Sequence, residues 1–318
     1  MNYQPLDVRL IANPIAGRGA LRSIKRAAAM LKDKVSLSAF VTKKKGDAES
    51  FARQISSEFA IKSPHAPLFQ RGEGGILIIV AGGDGTINEV INGLLASGIS
   101  DSLPPVALLP LGTTNVLAKE LGIPEDIEQS LQLALTGSPK RISLGRIVIT
   151  GNSYPVTRYF CLMTGIGFDG AAVYGVKNGI KKISGKGAYI LSGIRHLAKY
   201  SPALIKVNTS NGVLTGYAAV VGNARCYGGY FSVTPKASIT EPNLDLCLFG
   251  GKTRRDLIRF VNGVVSKNHL NFNDVFYGKF TEMEIVSDRE VHVQTDGDYF
   301  GTLPLKIDVV KDALSLVW

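Results

Sequence analysis

Cysteine is scarce. The 318 residues include three, Cys161, Cys226 and Cys247, far apart and in apolar or Gly-rich surroundings. Neither a disulfide framework nor a CxxC metal site is available, and a reducing compartment is expected. The four histidines, His65, His196, His269 and His292, have no metal-ligand spacing and read as surface or strand residues. No run approaches the roughly 18 apolar residues of a spanning helix. The opening MNYQPLDVRLIANP lacks the basic region and apolar stretch of a signal peptide. Secretion and membrane insertion are therefore not expected, and a cytoplasmic location is. GxxxxGK[ST] is also missing, which excludes a Walker-type P-loop. From Ala171 to Thr240 there is no Asp or Glu at all.

What is present is globular composition. Hydrophobic residues make up 45% and charged residues 19%, with 35 Gly and 14 Pro, which is neither disordered nor collagen-like. At roughly 150 residues per domain the length suggests about two domains. The 36 basic and 26 acidic residues leave a net charge of +10. Partners should therefore be anionic: nucleotides, phosphorylated substrates, nucleic acid or an anionic membrane.

From Val8 to about Thr136, short apolar runs alternate with helical periodicity. The runs are Val8 to Ala12, Val35 to Val41, Ile76 to Ala81 and Val106 to Pro110, the last two almost continuously apolar, as strands buried on both faces read. Helix-like segments lie at Leu21 to Leu31, at Asp47 to Phe59, and at Ile87, Val90, Ile91, Leu94 and Leu95. This alternation predicts an N-terminal α/β domain over 1–137 with a doubly wound parallel sheet, to which residues 304–318 return. Residues 138–303 read as a β-rich, antiparallel, sandwich-like domain. Strands are expected at Arg141 to Ile149, Tyr154 to Met163, Ala203 to Val207, Leu214 to Val221, Tyr230 to Thr234 and Leu244 to Phe249. Helices are expected near Gly187 to Lys199 and Arg254 to Ser266, and a final strand pair at Val291 to Thr295 and Leu305 to Val310. Ser63 to Gly75 reads as a Pro/Gly-rich surface loop.

The strongest chemical signal is Ile78-Ile79-Val80-Ala81-Gly82-Gly83-Asp84-Gly85-Thr86-Ile87-Asn88-Glu89, a buried strand running into a Gly-rich turn and a helix. Glycines let a phosphate approach the backbone, and the helix start offers unpaired N–H groups and a positive dipole end. A carboxylate in such a cradle would repel phosphate unless a divalent cation lies between, so Asp84 implies Mg²⁺ with a nucleotide. Asp84 should then matter more for rate than for folding. Leu109-Pro110-Leu111-Gly112-Thr113-Thr114-Asn115 is a second turn of this design, and Asn13-Pro14-Ile15-Ala16-Gly17-Arg18-Gly19 a third, with Arg18 able to meet a phosphate. Loops after adjacent parallel strands share one sheet edge and can line one crevice. Gly165-Ile166-Gly167-Phe168-Asp169-Gly170 matches GxGxxG but has no acid about 20 residues on to hold a ribose, so a dinucleotide reading fails except in an NADP variant. The acid-free span carries Lys177, Lys181, Lys182, Lys186, Arg195, Lys199, Lys206, Arg225 and Lys236, either a solvated face or a surface facing anionic lipid.

These residues resemble a known family. Asn13-Pro14 with Gly17, Gly82-Gly83-Asp84-Gly85-Thr86 with Asn88-Glu89, and Pro110-Leu111-Gly112-Thr113 with Asn115 are similar to signatures of the diacylglycerol kinase catalytic family, which includes sphingosine kinases and bacterial soluble lipid kinases. Gly165 to Asp169, Gly222-Asn223 with Tyr227-Gly228-Gly229, Thr234-Pro235-Lys236-Ala237 and Asp296-Gly297 resemble its second-domain landmarks in order.

The resemblance implies a two-domain enzyme that binds ATP and Mg²⁺ and phosphorylates a lipid hydroxyl. Nucleotide contacts would fall to Asn13, Gly17, Arg18, Thr42, Gly82, Gly83, Asp84, Gly85, Thr86, Ile87, Asn88, Gly112, Thr113 and Asn115, with Asp84 reaching the Mg²⁺ of ATP directly or through water. The family's general base is the Glu of Asp-Gly-Glu, a place taken here by Asp298. Asp is one methylene shorter, so backbone or a bridging water must restore the reach. The family's accessory metal motif, Asp-Gly-x-Leu-Asp, appears as Glu241-Pro242-Asn243-Leu244-Asp245, making Glu241 a candidate ligand although Pro removes an N–H. The implied partners are a lipid substrate and a membrane surface met through Lys177, Lys181, Lys182 and Lys186, rather than nucleic acid. An NAD kinase or phosphofructokinase relative and a non-catalytic nucleotide-binding membrane-surface regulator are the alternatives. The sequence leaves the lipid and the oligomeric state open.

Overall fold

The computed structural model describes residues 6–62, 75–98, 103–150, 155–179, 202–226, 228 and 231–318. The chain divides into two compact units, Met1–Ile142 with Asp312–Trp318, and Ser143–Lys311.

In the first unit, β1 (Asp7–Ala12), α1 (Ala20–Leu31), β2 (Ser36–Val41), α2 (Asp47–Lys62), β3 (Ile76–Gly82), α3 (Asp84–Leu94), β4 (Val106–Pro110), α4 (Val116–Glu120) and α5 (Ile127–Thr136) follow in order. The sheet order is β2-β1-β3-β4, with β1 parallel to both β2 and β3, and β3 parallel to β4. Val8, Leu10, Leu77, Ile79, Ala107 and Leu109 form one buried face with Ile24, Ala27 and Leu31 of α1 and Leu131 of α5. The alternate residues Ile11, Ile78, Val80 and Leu108 are buried as well. Strands covered on both faces need apolar side chains at every position, which explains the unbroken apolar runs. Each fully buried Leu or Ile contributes about 1.5–3 kcal/mol. Because β2 and β3 lie on opposite sides of β1, the strand order reverses there, and α/β sheets bind ligands at the carboxyl ends of strands at such a point.

The second unit begins within β5 (Pro139–Ile149) and contains β6 (Val156–Phe160), β7 (Met163–Ile166), α6 (Phe168–Gly179), β8 (Ile205–Thr209), β9 (Gly212–Gly216), β10 (Ala218–Gly222), β11 (Leu244–Phe249), α7 (Arg254–Val265), β12 (Val275–Phe280), β13 (Glu282–Ser287), β14 (His292–Thr295) and β15 (Asp298–Thr302). One antiparallel sheet runs β12-β11-β10-β7-β14-β15. β16 (Leu305–Val317) pairs with β13, β13 with β8, and β8 with β9, all antiparallel. Ile166, Val221, Leu246 and Leu248 of the first set pack with Ile205, Val207, Ile285, Leu305 and Ile307 of the other in one core. This is a β-sandwich. The fold class expected from the sequence, α/β followed by an antiparallel sandwich, is the one observed.

Local differences have identifiable causes. The run Tyr154 to Met163 is two strands, because the N–H groups of Cys161, Leu162 and Met163 turn aside to the Asp296 carboxylate at 2.9, 3.0 and 3.0 Å. Leu214 to Val221 likewise breaks at Tyr217, whose N–H donates to the Phe249 carbonyl at 2.7 Å. Tyr230 to Thr234 yields a lone bridge at Phe231, since the chain there enters the turn closed by the Ala237 N–H on the Thr234 carbonyl. The last apolar runs are not each other's partners: β14 pairs with β15 and β7, and β16 with β13. The helix expected near Gly187 to Lys199 and most of the Ser63 to Gly75 loop lie outside the described residues.

Candidate active site

Three loops leave the carboxyl edge of the parallel sheet side by side, after β1, β3 and β4, and they are bonded into one structure. The Asn13 amide donates to the Thr86 Oγ1 at 3.0 Å, tying the first loop to α3, and its Oδ1 accepts the Ile15 N–H at 3.1 Å. The Leu111 N–H donates to the Gly82 carbonyl at 2.9 Å. Asn115, in the left-handed region at φ 49°, accepts the Gly112 N–H at 2.8 Å and donates to the Pro110 and Gly112 carbonyls, so it folds the third loop about its own side chain. A β-carbon on Gly17 would lie 2.4 Å from the Leu111 carbonyl oxygen, and one on Gly82 would lie 2.7 Å from the Thr86 side chain. These glycines are thus required for packing. Gly85 differs: a β-carbon there meets nothing within 4 Å, and the residue is exposed. Open space above the first turn of an eleven-residue helix is where an anion can reach backbone N–H groups.

Asp84 connects two of these loops. Its Oδ2 accepts the Val116 N–H at 2.9 Å and its Oδ1 the Leu117 N–H at 3.0 Å, so one carboxylate opens α3 and supplies the start of α4. Beside the role in rate that the sequence suggests, Asp84 has one in the fold, because its loss would strand two N–H groups at a helix start. Ile87 places its side chain in the core at 2% exposure, leaving only its backbone to a ligand. Asn88 is buried and accepts a bond from the Asn92 amide at 3.2 Å. Thr42 is buried after β2, its N–H on the Ala12 carbonyl at 2.9 Å, while Arg18 and Thr113 are exposed.

Two residues given no role from sequence help shape this edge. Asp47 accepts the Lys43 and Lys44 N–H groups at 2.7 and 3.0 Å, and these bonds hold its carboxyl below the ordinary carboxylate range. The Glu89 carboxylate accepts the Gly46 N–H at 2.9 Å, joining the loop after β2 to α3. A carboxylate in the second turn of a helix, as Glu89 is in α3, reads as surface charge in a sequence, so only its long-range partner reveals the role.

In the second unit, Asp296 and Gly297 form the two-residue turn of the β14–β15 hairpin at φ 47° and 86°, the left-handed pair that Asp-Gly favours. Asp296 is structural, its carboxylate accepting the three N–H groups that separate β6 from β7. Asp298 opens β15, half-buried, paired across the hairpin with Thr295. Gln294 joins distant motifs: its Oε1 accepts the Gly297 N–H at 2.8 Å and its Nε2 donates to Asp169 at 2.6 Å. The Gly167 N–H donates to the His292 carbonyl at 3.0 Å. Asn223, fully buried, donates to the Ser143 and Cys161 carbonyls, both at 2.9 Å. These landmarks of the second unit therefore hold one another.

Glu241 does not fit the accessory metal suggested by sequence. The Lys279 ammonium is bonded to its carboxylate, raising the Lys279 pKa, and the Tyr277 hydroxyl donates to Asp245. Burial pushes the Asp245 carboxyl up, favouring its neutral form. Among the described residues no group of three or more His, Cys, Asp or Glu side chains gathers as metal ligands. Lys181, Lys182 and Lys186 lie outside the described residues, and of Lys177 only the backbone, within α6, is described. Among the described residues no helix is long and apolar enough to cross a membrane.

Residues 7–147 match the diacylglycerol kinase catalytic domain, and residues 163–318 match the YegS C-terminal NAD kinase beta sandwich-like domain. A Bacillus subtilis protein named diacylglycerol kinase is 30% identical over 231 residues, covering 72% of this chain and 73% of the relative. One of the same name from Staphylococcus epidermidis is 24% identical over 300 residues, covering 93% of this chain and 87% of the relative. A solved structure from Bacillus anthracis, provisionally titled a diacylglycerol kinase, superposes with a TM-score of 0.74 at 25% identity, covering 100% of this chain and 98% of that one.

Proposed function

The chain belongs to the diacylglycerol kinase family, and from that premise we propose that it transfers the γ-phosphate of ATP to the hydroxyl of a diacylglycerol-like lipid. The observation that carries this reading is the bonded edge of three loops at the sheet's switch point, with open backbone at Gly85 and a carboxylate at Asp84. Phosphoryl transfer asks a protein chiefly for positioning and charge stabilisation. The first turn of α3 and the Gly112 loop cradle the phosphates, Arg18 neutralises their charge, and Asn13, Thr42 and Thr113 orient the nucleotide.

Asp84 fits a Mg²⁺ carried with the nucleotide, because Mg²⁺ keeps several waters and takes few protein carboxylates. Asp84 would hold it directly or through water, since each carboxylate oxygen keeps a lone pair beside the one N–H it accepts. Bound Mg²⁺ neutralises charge on the transferring phosphate. Asp298 acts as general base, taking the proton of the acceptor hydroxyl as its oxygen attacks phosphorus, while the leaving ADP carries away the β–γ bridging oxygen.

The acceptor resides in a bilayer, so the enzyme is a cytoplasmic protein working peripherally at the membrane, with Lys177, Lys181, Lys182 and Lys186 as cations facing anionic lipid. The test is γ-labelled ATP offered with a panel of diacylglycerol, monoacylglycerol, phosphatidylglycerol, sphingoid base and NAD. Label in a lipid is expected. Label in NAD and in no lipid would overturn the assignment.

A further inference from the structure

One side of α7 packs as a surface helix should. Leu257, Gly263 and Val264 are buried, and Phe260 stacks on Phe249 with ring centroids 4.7 Å apart. The outer side of such a helix is ordinarily polar. Here Ile258, Val261 and Val265 are 45%, 44% and 57% exposed. At helical spacing they line up with Arg254 in one stripe, so three large aliphatics form a patch rather than scattered singles.

Cations accompany the stripe. Arg254 and Arg255 are exposed on the helix and Lys267 just beyond it, while Lys252, ahead of the helix, lies 5.4 Å over the Tyr217 ring. Arg259 lies 5.0 Å over the Phe272 ring and pairs with Asp274. The carboxylates of this region are engaged: Asp256 closes the capping box with Thr253, and Asp274 holds Arg259. A shallow groove lined by Arg255, Ile258, Arg259, Asn262, Ser266 and Phe272 places guanidinium groups beside aliphatic surface.

We propose that α7 is a docking element for an anionic phospholipid bilayer, the stripe of Ile258, Val261 and Val265 entering the acyl boundary while Arg254, Arg255 and Lys267 meet headgroup phosphates. Charge complementarity selects this occupant: a second copy of the chain would set the same cations against each other, whereas an anionic leaflet neutralises them. Each cation near such a leaflet strengthens partitioning roughly fivefold. The proposal deepens the lipid-kinase reading and rests on it for its purpose, since an acceptor held in a bilayer calls for an enzyme seated there.

The test is flotation of the full chain with vesicles of phosphatidylglycerol and phosphatidylcholine, against phosphatidylcholine alone. Two double variants are compared with wild type, Arg254→Glu with Arg255→Glu and Val261→Ser with Val265→Ser, after thermal unfolding confirms that each folds. Binding to the anionic vesicles is expected to fall roughly 25-fold or more in the charge variant and severalfold in the serine variant, with wild-type turnover retained on a lipid acceptor in detergent micelles. Unchanged vesicle binding in both variants overturns the proposal. So does a wild-type dimer in sedimentation that the serine variant dissociates, which would make the stripe a self-association face. If wild type shows no lipid-kinase turnover yet its vesicle binding falls in the variants, the kinase reading fails and the docking surface stands.

Discussion

Gly83 and Gly112 close directly on each other: a β-carbon on Gly112 would lie 2.5 Å from the Gly83 Cα and 2.7 Å from the Asn115 Oδ1. Two glycine loops from successive βα units are therefore in backbone contact, and each is the other's wall.

Gly112→Ala should force these loops apart, at about 1–3 kcal/mol of stability, and lower ATP affinity at least tenfold. Gly85→Ala supplies the contrast. Its methyl enters open space and favours the helix, so unfolding should occur no earlier than in wild type while ATP affinity still falls. Thermal unfolding read beside nucleotide titration separates the two, and a Gly85→Ala protein that binds ATP as wild type does would contradict a phosphate at that turn.

Asp296 and Asp298 should separate in the opposite sense. Asp296→Asn places an amide donor among three backbone N–H groups and should cost about 1–3 kcal/mol in chemical unfolding. Asp298→Asn should cost less than Asp296→Asn, because the three N–H bonds at the β6–β7 break go to the Asp296 carboxylate and not to Asp298.

The motifs of the first unit were legible because they are short and local. A buried strand followed by Gly82-Gly83-Asp84-Gly85 reads the same in one dimension as in three, and the parallel sheet follows from the alternation of periods. Less legible was everything made by distant partners. Nothing in the sequence couples Asp84 to Val116, Glu89 to Gly46, or Gln294 to both Asp169 and Gly297. Asp296-Gly297 is readable as a favoured hairpin dipeptide, but its grip on Cys161 to Met163 is not, and the β6–β7 break follows from that grip. The Lys279 ammonium on Glu241 was equally invisible, since neither charge carries a motif that names the other.

Acid should loosen the α7 cap. Hydrogen bonds from Thr253 hold the Asp256 carboxyl below its ordinary value of 3.8, so the unfolded chain binds the proton more readily and stability from this group rises with pH. Its contribution is complete above the ordinary value and is lost as pH falls through the lower folded one. The difference in stability between wild type and Asp256→Asn, measured by denaturant unfolding, should be present at about pH 6 and shrink as pH falls below the ordinary value of 3.8. A difference that grows on acidification would contradict this sign.

Thiol reactivity should follow burial. Cys161 and Cys247 are buried, Cys226 is partly exposed, and desolvation pushes the Cys247 thiol up to about 12. Because the thiolate is the nucleophile, alkylation of the native chain at about pH 8 should modify Cys226 first and the other two only on unfolding. Peptide mass mapping reads the order, and early modification of Cys247 would contradict the buried placement of β11.

The most direct measurement is transfer of label from γ-labelled ATP to diacylglycerol in mixed micelles, with wild type and Asp298→Asn run side by side. The account predicts labelled phospholipid from wild type and a rate lower by roughly 10²–10⁴-fold from the variant, at similar ATP affinity. No labelled lipid from wild type, or equal rates from the two proteins, would contradict it.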